Sequence, residues 1–325
     1  MSESTAPAIP ILVAGEALID FVPAGDGRTY RALPGGSPFN VAVGLARLGV
    51  SAGYLGKLST DAFGRQLREA LHVEGVSPDY IGKDPGPTTL AVVTQEPGED
   101  PKYAFYGHCA ADQQLRSEDL PDALPDGVRA LHLGSYAMAR TPIGETLTQL
   151  MRREADRRVL SFDPNVRLSL IPDLDRYREQ LDEWVRLSRI VKLSVADLDI
   201  LFPGMTDETL AERWLSRGYL RLLVVTHGAD GARAFAARHA VHVPAVPVSV
   251  VDPVGAGDAF TAGLLAWLDR ADRLSMDALD ALSQRDARAA LQFAGTVAAM
   301  ACTRPGANPP QLHELPARNF DDAVA

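Results

Sequence analysis

Cysteine and lysine are both scarce in this chain. Its 325 residues include two cysteines, which excludes a disulfide framework and a cysteine-based metal cluster. Of the 32 basic residues only four are lysines, Lys57, Lys83, Lys102 and Lys192. There is no basic run, and 42 acidic residues bring the formal net charge to −10. This charge argues against a nucleic acid or an anionic membrane as a partner.

Long hydrophobic runs are also missing. No apolar stretch approaches the roughly 18 residues that a membrane helix needs. The segment Met1–Pro10 lacks the basic start and apolar run of a signal peptide. We therefore expect a cytoplasmic protein with no membrane partner. Hydrophobic residues make up 46% of the chain and charged residues 23%, which is enough for a large core.

Short apolar segments alternate with amphipathic helical segments along most of the chain. This alternation is typical of βαβ units, so it predicts an α/β fold with a mostly parallel central sheet and helices on both faces. We expect one domain over residues 1–325. The predicted strands are Ile11–Ala17, Ala130–Leu133, Val159–Phe162, Ile190–Leu193 and Leu222–Thr226. The predicted helices are Phe39–Leu48, Glu145–Arg157, Glu208–Arg217 and Ala287–Ala301.

Two segments depart from the alternation. Thr88–Gln95 and Tyr103–Tyr106 flank the turn-rich segment Glu96–Lys102, which is typical of a hairpin without its own helix. Phe21–Leu33 is rich in glycine and polar residues. We interpret residues 21–34 and 88–112 as a small β-sheet that leaves the main domain and covers a site as a lid. An ordinary surface hairpin is the alternative.

The strongest local motif runs from Asp252 to Asp258, with the sequence DPVGAGD. It lies between a predicted strand, Val246–Val251, and an apolar helix, Ala259–Leu268. Two glycines at the start of a helix make an anion site from backbone N–H groups and the helix dipole. A carboxylate there can accept the proton of a hydroxyl that attacks a bound phosphate, so Asp258 is a candidate base. The alternative is an ordinary helix cap.

Other nucleotide-binding motifs do not fit. A dinucleotide-binding GxGxxG would need glycine where Phe260 stands, and neither Gly56-Lys57 nor Gly82-Lys83 is followed by the Ser or Thr of a P-loop. No lysine lies in either of the main motifs. The proposed phosphate site therefore relies on backbone N–H groups, a helix N-terminus and metal ions.

A second motif, GGSPFN, runs from Gly35 to Asn40 at the start of the helix Phe39–Leu48. Paired glycines before a proline at a helix start suit backbone contact with a compact polar ligand. The Asn40 side chain both donates and accepts hydrogen bonds, which suits a sugar hydroxyl. Asp20 follows the first strand and is expected on the same side of the sheet, beyond the carboxyl ends of the strands. A simple tight turn is the alternative.

These two motifs, in this order and separation, resemble the signatures of the ribokinase-like (PfkB) carbohydrate kinases. The resemblance extends from Gly15–Asp20 to Arg304–Ala307. Within the family the sequence is most similar to bacterial fructokinases, through Phe162–Arg167 and Ala110–Asp112. It implies a three-layer ribokinase-like fold with a small β-sheet lid, and a homodimer through the lid as one arrangement. The sequence departs at Pro253, where threonine is usual, and at Ser194 and Asp197, where many members carry Asn and Glu.

The resemblance also implies roles for single residues, with ATP and a sugar as ligands. Asp258 would be the catalytic base. An anion hole would hold the γ-phosphoryl group, formed by Gly255, Ala256 and Gly257. The sugar would be held by Asp20, Gly35, Gly36, Asn40 and Arg167, although Arg167 could instead contact phosphate, or only pair with Asp163 or another carboxylate. ATP would be bound by Ser194, Thr226, Gly228 and Gly231, for which a hairpin turn is the alternative explanation at residues 226–231.

Metal ions complete the implied site. Asp197 would act on Mg²⁺ through water, because this ion prefers oxygen ligands and keeps several waters. Many family members also bind K⁺ beside the anion hole. Here the matching backbone carbonyls belong to Asp252, Val254, Ala301, Arg304 and Gly306.

The first functional hypothesis is an ATP-dependent fructokinase that forms fructose 6-phosphate. The nearest alternative is a 2-keto-3-deoxygluconate kinase, whose substrate carboxylate would suit the planar guanidinium of Arg167. Gly107 after the hairpin aromatics weakens this alternative, because related acid-sugar kinases often have arginine there. Another sugar kinase of the same family is a further alternative. A non-catalytic sugar sensor is disfavoured, because Asp258 and the motif glycines are all present.

Overall fold

The computed structural model describes residues 9–24, 28–94 and 102–316. The strands are β1 (Ile11–Ala14), β2 (Leu18–Ala24), β3 (Thr29–Gly35), β4 (Ala52–Ser59), β5 (Ile81–Asp84), β6 (Leu90–Thr94), β7 (Lys102–Tyr106), β8 (Ala130–Gly134), β9 (Val159–Asp163), β10 (Ile190–Ser194), β11 (Leu222–Thr226), β12 (Ala232–Ala236) and β13 (His239–Val243). The α-helices are α1 (Ser37–Arg47), α2 (Ala62–Val73), α3 (Ile143–Glu154), α4 (Leu174–Leu187), α5 (Val195–Leu201), α6 (Asp207–Leu215), α7 (Ala256–Arg270), α8 (Met276–Asp280) and α9 (Gln284–Cys302). Among these residues no helix is both long and apolar enough to cross a membrane.

The central sheet has nine strands in the order β13-β12-β11-β10-β9-β8-β1-β4-β5. Every pair from β11 to β5 is parallel, and β12 and β13 add an antiparallel edge. The predicted mostly parallel sheet is therefore confirmed. Its parallel arrangement brings the carboxyl ends of β1, β8, β9, β10 and β11 to one edge, where a ligand site is expected.

Two hydrophobic cores lie on opposite faces of this sheet. Along β1 the side chains alternate: Ile11 and Val13 pack into one core, and Leu12 and Ala14 into the other. The first core also contains side chains from α1, α2, α7, α8 and α9, and the second contains side chains from α3 to α6. This arrangement confirms the three layers that the sequence resemblance implies.

Helices α1 and α7 approach each other closely. A Cβ atom on Gly44 of α1 would lie 2.7 Å from the Cβ atom of Ala262 in α7. Only glycine allows this separation, because real Cβ contacts are longer. The helices that begin with the two sequence motifs are therefore packed directly against each other.

The small sheet has four strands in the order β3-β2-β6-β7. Strand β2 pairs antiparallel with β3 and parallel with β6, and β6 pairs antiparallel with β7. The predicted small β-sheet is therefore present, although most of the predicted turn Glu96–Lys102 lies outside the described residues, and its role as a lid remains a prediction. The buried side chains of Leu18, Ala91 and Tyr136 attach the small sheet to the main domain.

Two predicted strands differ in the structure. The first strand ends at Ala14 instead of Ala17, because Gly15 adopts φ +150° and the chain then enters the small sheet. The predicted strand Val246–Val251 is wrong: this segment has no regular secondary structure, and the side chains of Val246 and Val250 are 40% and 63% exposed. Pro244 and Pro247 lack the N–H donors that a continuous strand needs.

Candidate active site

A cavity of about 280 Å³ lies where the small sheet meets the N-termini of α1 and α7. Glycines precede both helices: Gly36 has φ +105° and Gly255 has φ +76°. A Cβ atom on Gly36 would lie 2.9 Å from the Glu16 carbonyl oxygen, and one on Gly255 would lie 2.6 Å from the Ala307 Cβ atom. Both positions therefore require glycine, and both helix N-termini open into the cavity.

The Asp258 carboxylate joins the two motifs. It is buried in the first turn of α7, where it accepts hydrogen bonds from Ser37 Oγ at 2.6 Å and from Asn40 Nδ2 at 2.8 Å. Burial raises its pKa, and these two hydrogen bonds oppose the rise. The alternative of a helix cap is wrong, because Gly255 is the N-cap residue. Sequence reasoning missed the role of Ser37, although this residue stands within the second motif.

Asp20, a residue of strand β2, lines the cavity beside Asp258 of α7. Burial and the nearby Asp258 charge raise the pKa of Asp20 to about 7, while Arg167 opposes this rise. A Cβ atom on Gly35 would lie only 2.1 Å from Asp20 Oδ2. Gly35 therefore leaves space for the Asp20 carboxylate. The sequence predicted a direct contact between Gly35 and the sugar, and did not predict this effect on Asp20.

Arg167 also lines the cavity, together with Asn165 of the same loop. Its Nη1 atom donates a hydrogen bond to the Val166 carbonyl oxygen at 3.2 Å. Asp163, the alternative partner in the sequence prediction, accepts a hydrogen bond from Lys192 Nζ at 2.9 Å instead. The guanidinium of Arg167 is thus directed toward the cavity, where it stabilises the ionised forms of both Asp20 and Asp258.

Aromatic side chains form the wall of the cavity on the small-sheet side. Tyr103 and Phe105 of β7 have stacked rings with centroids 6.1 Å apart, and the Phe105 and Tyr136 rings lie 6.0 Å apart. Below them Glu16 is buried, and burial raises its pKa to about 8. Sequence reasoning missed these residues, although the alternation in β7 could have indicated its inward-facing aromatic pair.

The predicted ATP-side loop is a tight connection between β11 and β12. Thr226 ends β11, and Gly228 and Gly231 adopt φ +54° and φ +96°. A Cβ atom on Gly231 would lie 2.1 Å from the Val243 carbonyl oxygen. The chain therefore forms the turn given as the alternative explanation, and a role in binding ATP remains a prediction. His227 Nε2 lies 2.7 Å from Asp207 Oδ2 and ties this turn to α6.

Ser194 and Asp197 form a capping box at the start of α5. Asp197 Oδ2 accepts hydrogen bonds from Ser194 N at 2.9 Å and from Ser194 Oγ at 2.6 Å, and Oδ1 accepts one from Val166 N at 2.7 Å. A buried carboxylate with three internal donors does not fit direct metal coordination. Contact with Mg²⁺ through a water on Oδ1 is compatible with this geometry and remains a prediction.

The segment predicted to bind K⁺ is held together by Asp252. Its Oδ1 atom accepts from Val254 N at 2.9 Å, and its Oδ2 atom accepts from Gly306 N at 2.8 Å. The backbone N–H of Arg304 donates to the Ala301 carbonyl oxygen at 3.1 Å. The structure thus brings both predicted segments, 252–254 and 301–306, beside the start of α7. K⁺ binding by their carbonyl oxygens remains a prediction.

Comparisons with known proteins agree with this geometry. A family model described as pfkB family carbohydrate kinase matches residues 9–314. A fructokinase of Rhizobium leguminosarum bv. trifolii is 37% identical over 282 residues, which cover 86% of this chain and 85% of the relative. Fructokinase from Xylella fastidiosa with bound ATP superposes with a TM-score of 0.86 at 31% identity, covering 97% of both chains. A fructokinase double mutant from Vibrio cholerae O395 with bound fructose, ADP and potassium ion superposes with a TM-score of 0.83 at 30% identity, covering 94% of this chain and 97% of the other.

Proposed function

The chain belongs to the pfkB family of carbohydrate kinases, and from this premise we propose that it transfers the γ-phosphoryl group of ATP to fructose, forming fructose 6-phosphate. The observation that carries the proposal is the Asp258 carboxylate, held by Ser37 and Asn40 at the N-terminus of α7 and facing the cavity beside Asp20. This arrangement supports a base and an anion site next to each other, as transfer from a phosphate to a hydroxyl requires.

In the proposed reaction, the primary hydroxyl of the sugar attacks the γ-phosphorus. A new O–P bond forms, the bond to the β-phosphate oxygen breaks, and ADP leaves. Asp258 accepts the hydroxyl proton. The N–H groups of Gly255 and Gly257 face the negative charge on the transferring group, aided by the positive end of the α7 dipole. The N–H of Ala256, the third predicted donor, instead donates to the Pro253 carbonyl oxygen at 3.1 Å. Because this transition state is loose, alignment and charge stabilisation contribute more than proton removal.

The charges around the cavity favour a neutral sugar. Asp20 and Asp258 both interact with the Arg167 guanidinium, so its charge is already offset within the site. A substrate carboxylate would add negative charge beside Asp258 and beside Asp20, whose pKa of about 7 already reflects burial and the nearby Asp258 charge. Fructose instead offers hydroxyl groups, which can donate to Asp20 and accept from Arg167. This argument favours fructose over 2-keto-3-deoxygluconate.

Several finer points belong to the same proposal. ATP would bring Mg²⁺, an ion that supplies charge neutralisation to phosphates, with Asp197 in contact only through water. The small sheet would act as a lid, since Leu18 and Asp20 of β2 and Tyr103 and Phe105 of β7 line the cavity. K⁺ binding, a homodimer through the lid and a cytoplasmic location are retained as proposals.

A substrate panel tests the function. The purified full chain is incubated with ATP, Mg²⁺ and one of fructose, 2-keto-3-deoxygluconate, ribose or glucose, and ADP release is measured. We expect the highest kcat/KM with fructose. Phosphorylation of the keto-acid but not of fructose would replace the proposal with the acid-sugar kinase. Fructose binding in calorimetry without phosphorylation of any sugar would instead indicate a sensor.

A further inference from the structure

Lys192 is a buried lysine that the mechanism has not used. It stands in the middle of β10, and its side chain is 6% exposed. Its Nζ atom donates to Asp163 Oδ2 at 2.9 Å, and the Asp163 side chain is 2% exposed. The neighbouring carboxylate raises the Lys192 pKa against the opposing effect of burial, so the ammonium stays charged. Few lysines are buried this deeply without a specific reason.

The ammonium lies directly behind the predicted anion hole. A Cβ atom on Gly257 would be 3.1 Å from Lys192 Nζ, and Gly257 itself lines the cavity. Asp163 Oδ2 also lies 3.4 Å from Thr261 Oγ1, one turn further along α7. The ion pair therefore packs against the first turns of α7, next to a glycine that itself lines the cavity.

The ion pair is not explained by stability alone. Burying two charges costs several kcal/mol, and apolar residues of similar volume often replace such pairs without loss. Val191 and Leu193 of β10 pack into the core on the other face of the sheet, whereas Lys192 lies on the face of Ile190, beside Asp163 and Thr261. A buried ion pair is therefore weak evidence for stability, and its position against the first turns of α7 points to a role at the N-terminus of that helix.

We propose that Lys192 stabilises the negative charge of the transferring phosphoryl group from behind Gly257, with Asp163 fixing the position of its ammonium. This inference rests on the proposed kinase function. In this proposal Lys192 acts through its charge, and Asp163 is the positioning residue. A side chain at position 257 would crowd the Lys192 ammonium, which explains the glycine there. The phosphate site would then combine backbone N–H groups with one buried positive charge that the sequence motifs do not contain.

Three variants of the full chain test this inference. Lys192→Met removes the charge, and Lys192→Met with Asp163→Asn removes both members of the pair. Lys57→Met is the matched control, because Lys57 forms a comparable ion pair with Asp119 at 2.7 Å and does not line the cavity. For each variant we would measure kcat and KM for both substrates, fructose affinity by calorimetry and stability by urea unfolding.

We expect Lys192→Met to lower kcat about a hundredfold, the scale seen when one preorganised transition-state contact is removed. Fructose affinity should stay within about threefold, because the charge acts on the phosphoryl group. The double variant should regain stability, since no unpaired charge remains buried, but its kcat should stay low. Lys57→Met should keep the kcat of the wild type.

A kcat close to that of the wild type in Lys192→Met would overturn the inference. So would recovery of both stability and kcat in the double variant, since that result assigns the pair a purely structural role. If Lys192→Met does not fold, the double variant alone decides between these outcomes. Absence of fructose phosphorylation by the wild-type protein is a different result, which would refute the proposed function itself.

Discussion

Substituting Asp258 with asparagine is the sharpest test of the proposed chemistry, because the structure can accept the new side chain without rearrangement. An asparagine oxygen can still accept from Asn40 Nδ2, and the amide nitrogen can donate to Ser37 Oγ, since a hydroxyl both donates and accepts. Both present contacts, at 2.8 and 2.6 Å, are thus retained. The buried charge disappears, so the free energy of unfolding should equal or exceed that of the wild type.

Besides the charge, the substitution removes the ability to take up a proton. General-base catalysis contributes about 10²–10⁴-fold to a rate, so kcat should fall at least about a hundredfold. Fructose affinity should change little, since the hydrogen-bonding surface of the cavity is nearly the same. The measurements are ADP release under saturating ATP and fructose, fructose binding by calorimetry and urea unfolding. Turnover similar to that of the wild type would remove Asp258 from its role as the base.

Two further variants test whether a loss of turnover comes from the Asp258 carboxylate itself, from a residue that holds it, or from a general effect on folding. Ser37→Ala keeps the carboxylate but removes one of its hydrogen bonds, which should cost about tenfold in kcat. Asp286→Asn is the matched control, because Asp286 occupies the equivalent third position of α9 in an ordinary capping box. This control should leave kcat unchanged. A loss of turnover in Asp286→Asn equal to that in Asp258→Asn would mean that the assay reports folding, not proton transfer.

Three other predictions concern the walls of the site and its metal requirement. Gly35→Ala should raise the KM for fructose at least about tenfold in steady-state assays, because the new Cβ atom would displace the Asp20 carboxylate that now lies 2.1 Å from its position. Burial raises the pKa of Glu16 from 4.5 to about 8, so its contribution to stability is present below pH 4.5 and is lost as the pH rises through about 8. Glu16→Gln should therefore flatten the fall of the urea midpoint over this range, and an unchanged pH profile would contradict the assignment. EDTA should abolish ADP release and added Mg²⁺ should restore it; full activity without any divalent ion would refute this dependence.

The elements predicted most accurately from the sequence are those with a strong local pattern. Strand Leu222–Thr226 is a continuous apolar run, and the structure matches it residue for residue. The segment Val246–Val251 is also rich in valine, yet it forms no strand, because the preceding and internal prolines limit its pairing and its valine side chains stay 38–63% exposed. Apolar composition alone therefore cannot distinguish a buried strand from an exposed extended segment.

Contacts between residues distant in the sequence limited the prediction of the site. The motifs indicated Asp258 and Asn40, but the hydrogen bond between them joins residues 218 positions apart and depends on the packing of α1 against α7. Lys192 stands outside both motifs, and only the folded chain brings it beside Gly257. The sequence places residues on elements, whereas the distances between those elements follow from packing.

The close packing of α1 against α7 holds the proposed catalytic residues on one part of the fold, and part of the cavity wall comes from another. Protein engineering could use this separation. Gly44 and Ala262 fix the two helices that carry Ser37, Asn40 and Asp258, whereas two aromatic side chains of the cavity wall, Tyr103 and Phe105, come from β7 of the small sheet. Exchange of strands β6 and β7 with those of a relative should therefore reshape this part of the cavity wall while Ser37, Asn40 and Asp258 stay in place. Selectivity and chemistry would then be adjustable as separate modules of one enzyme.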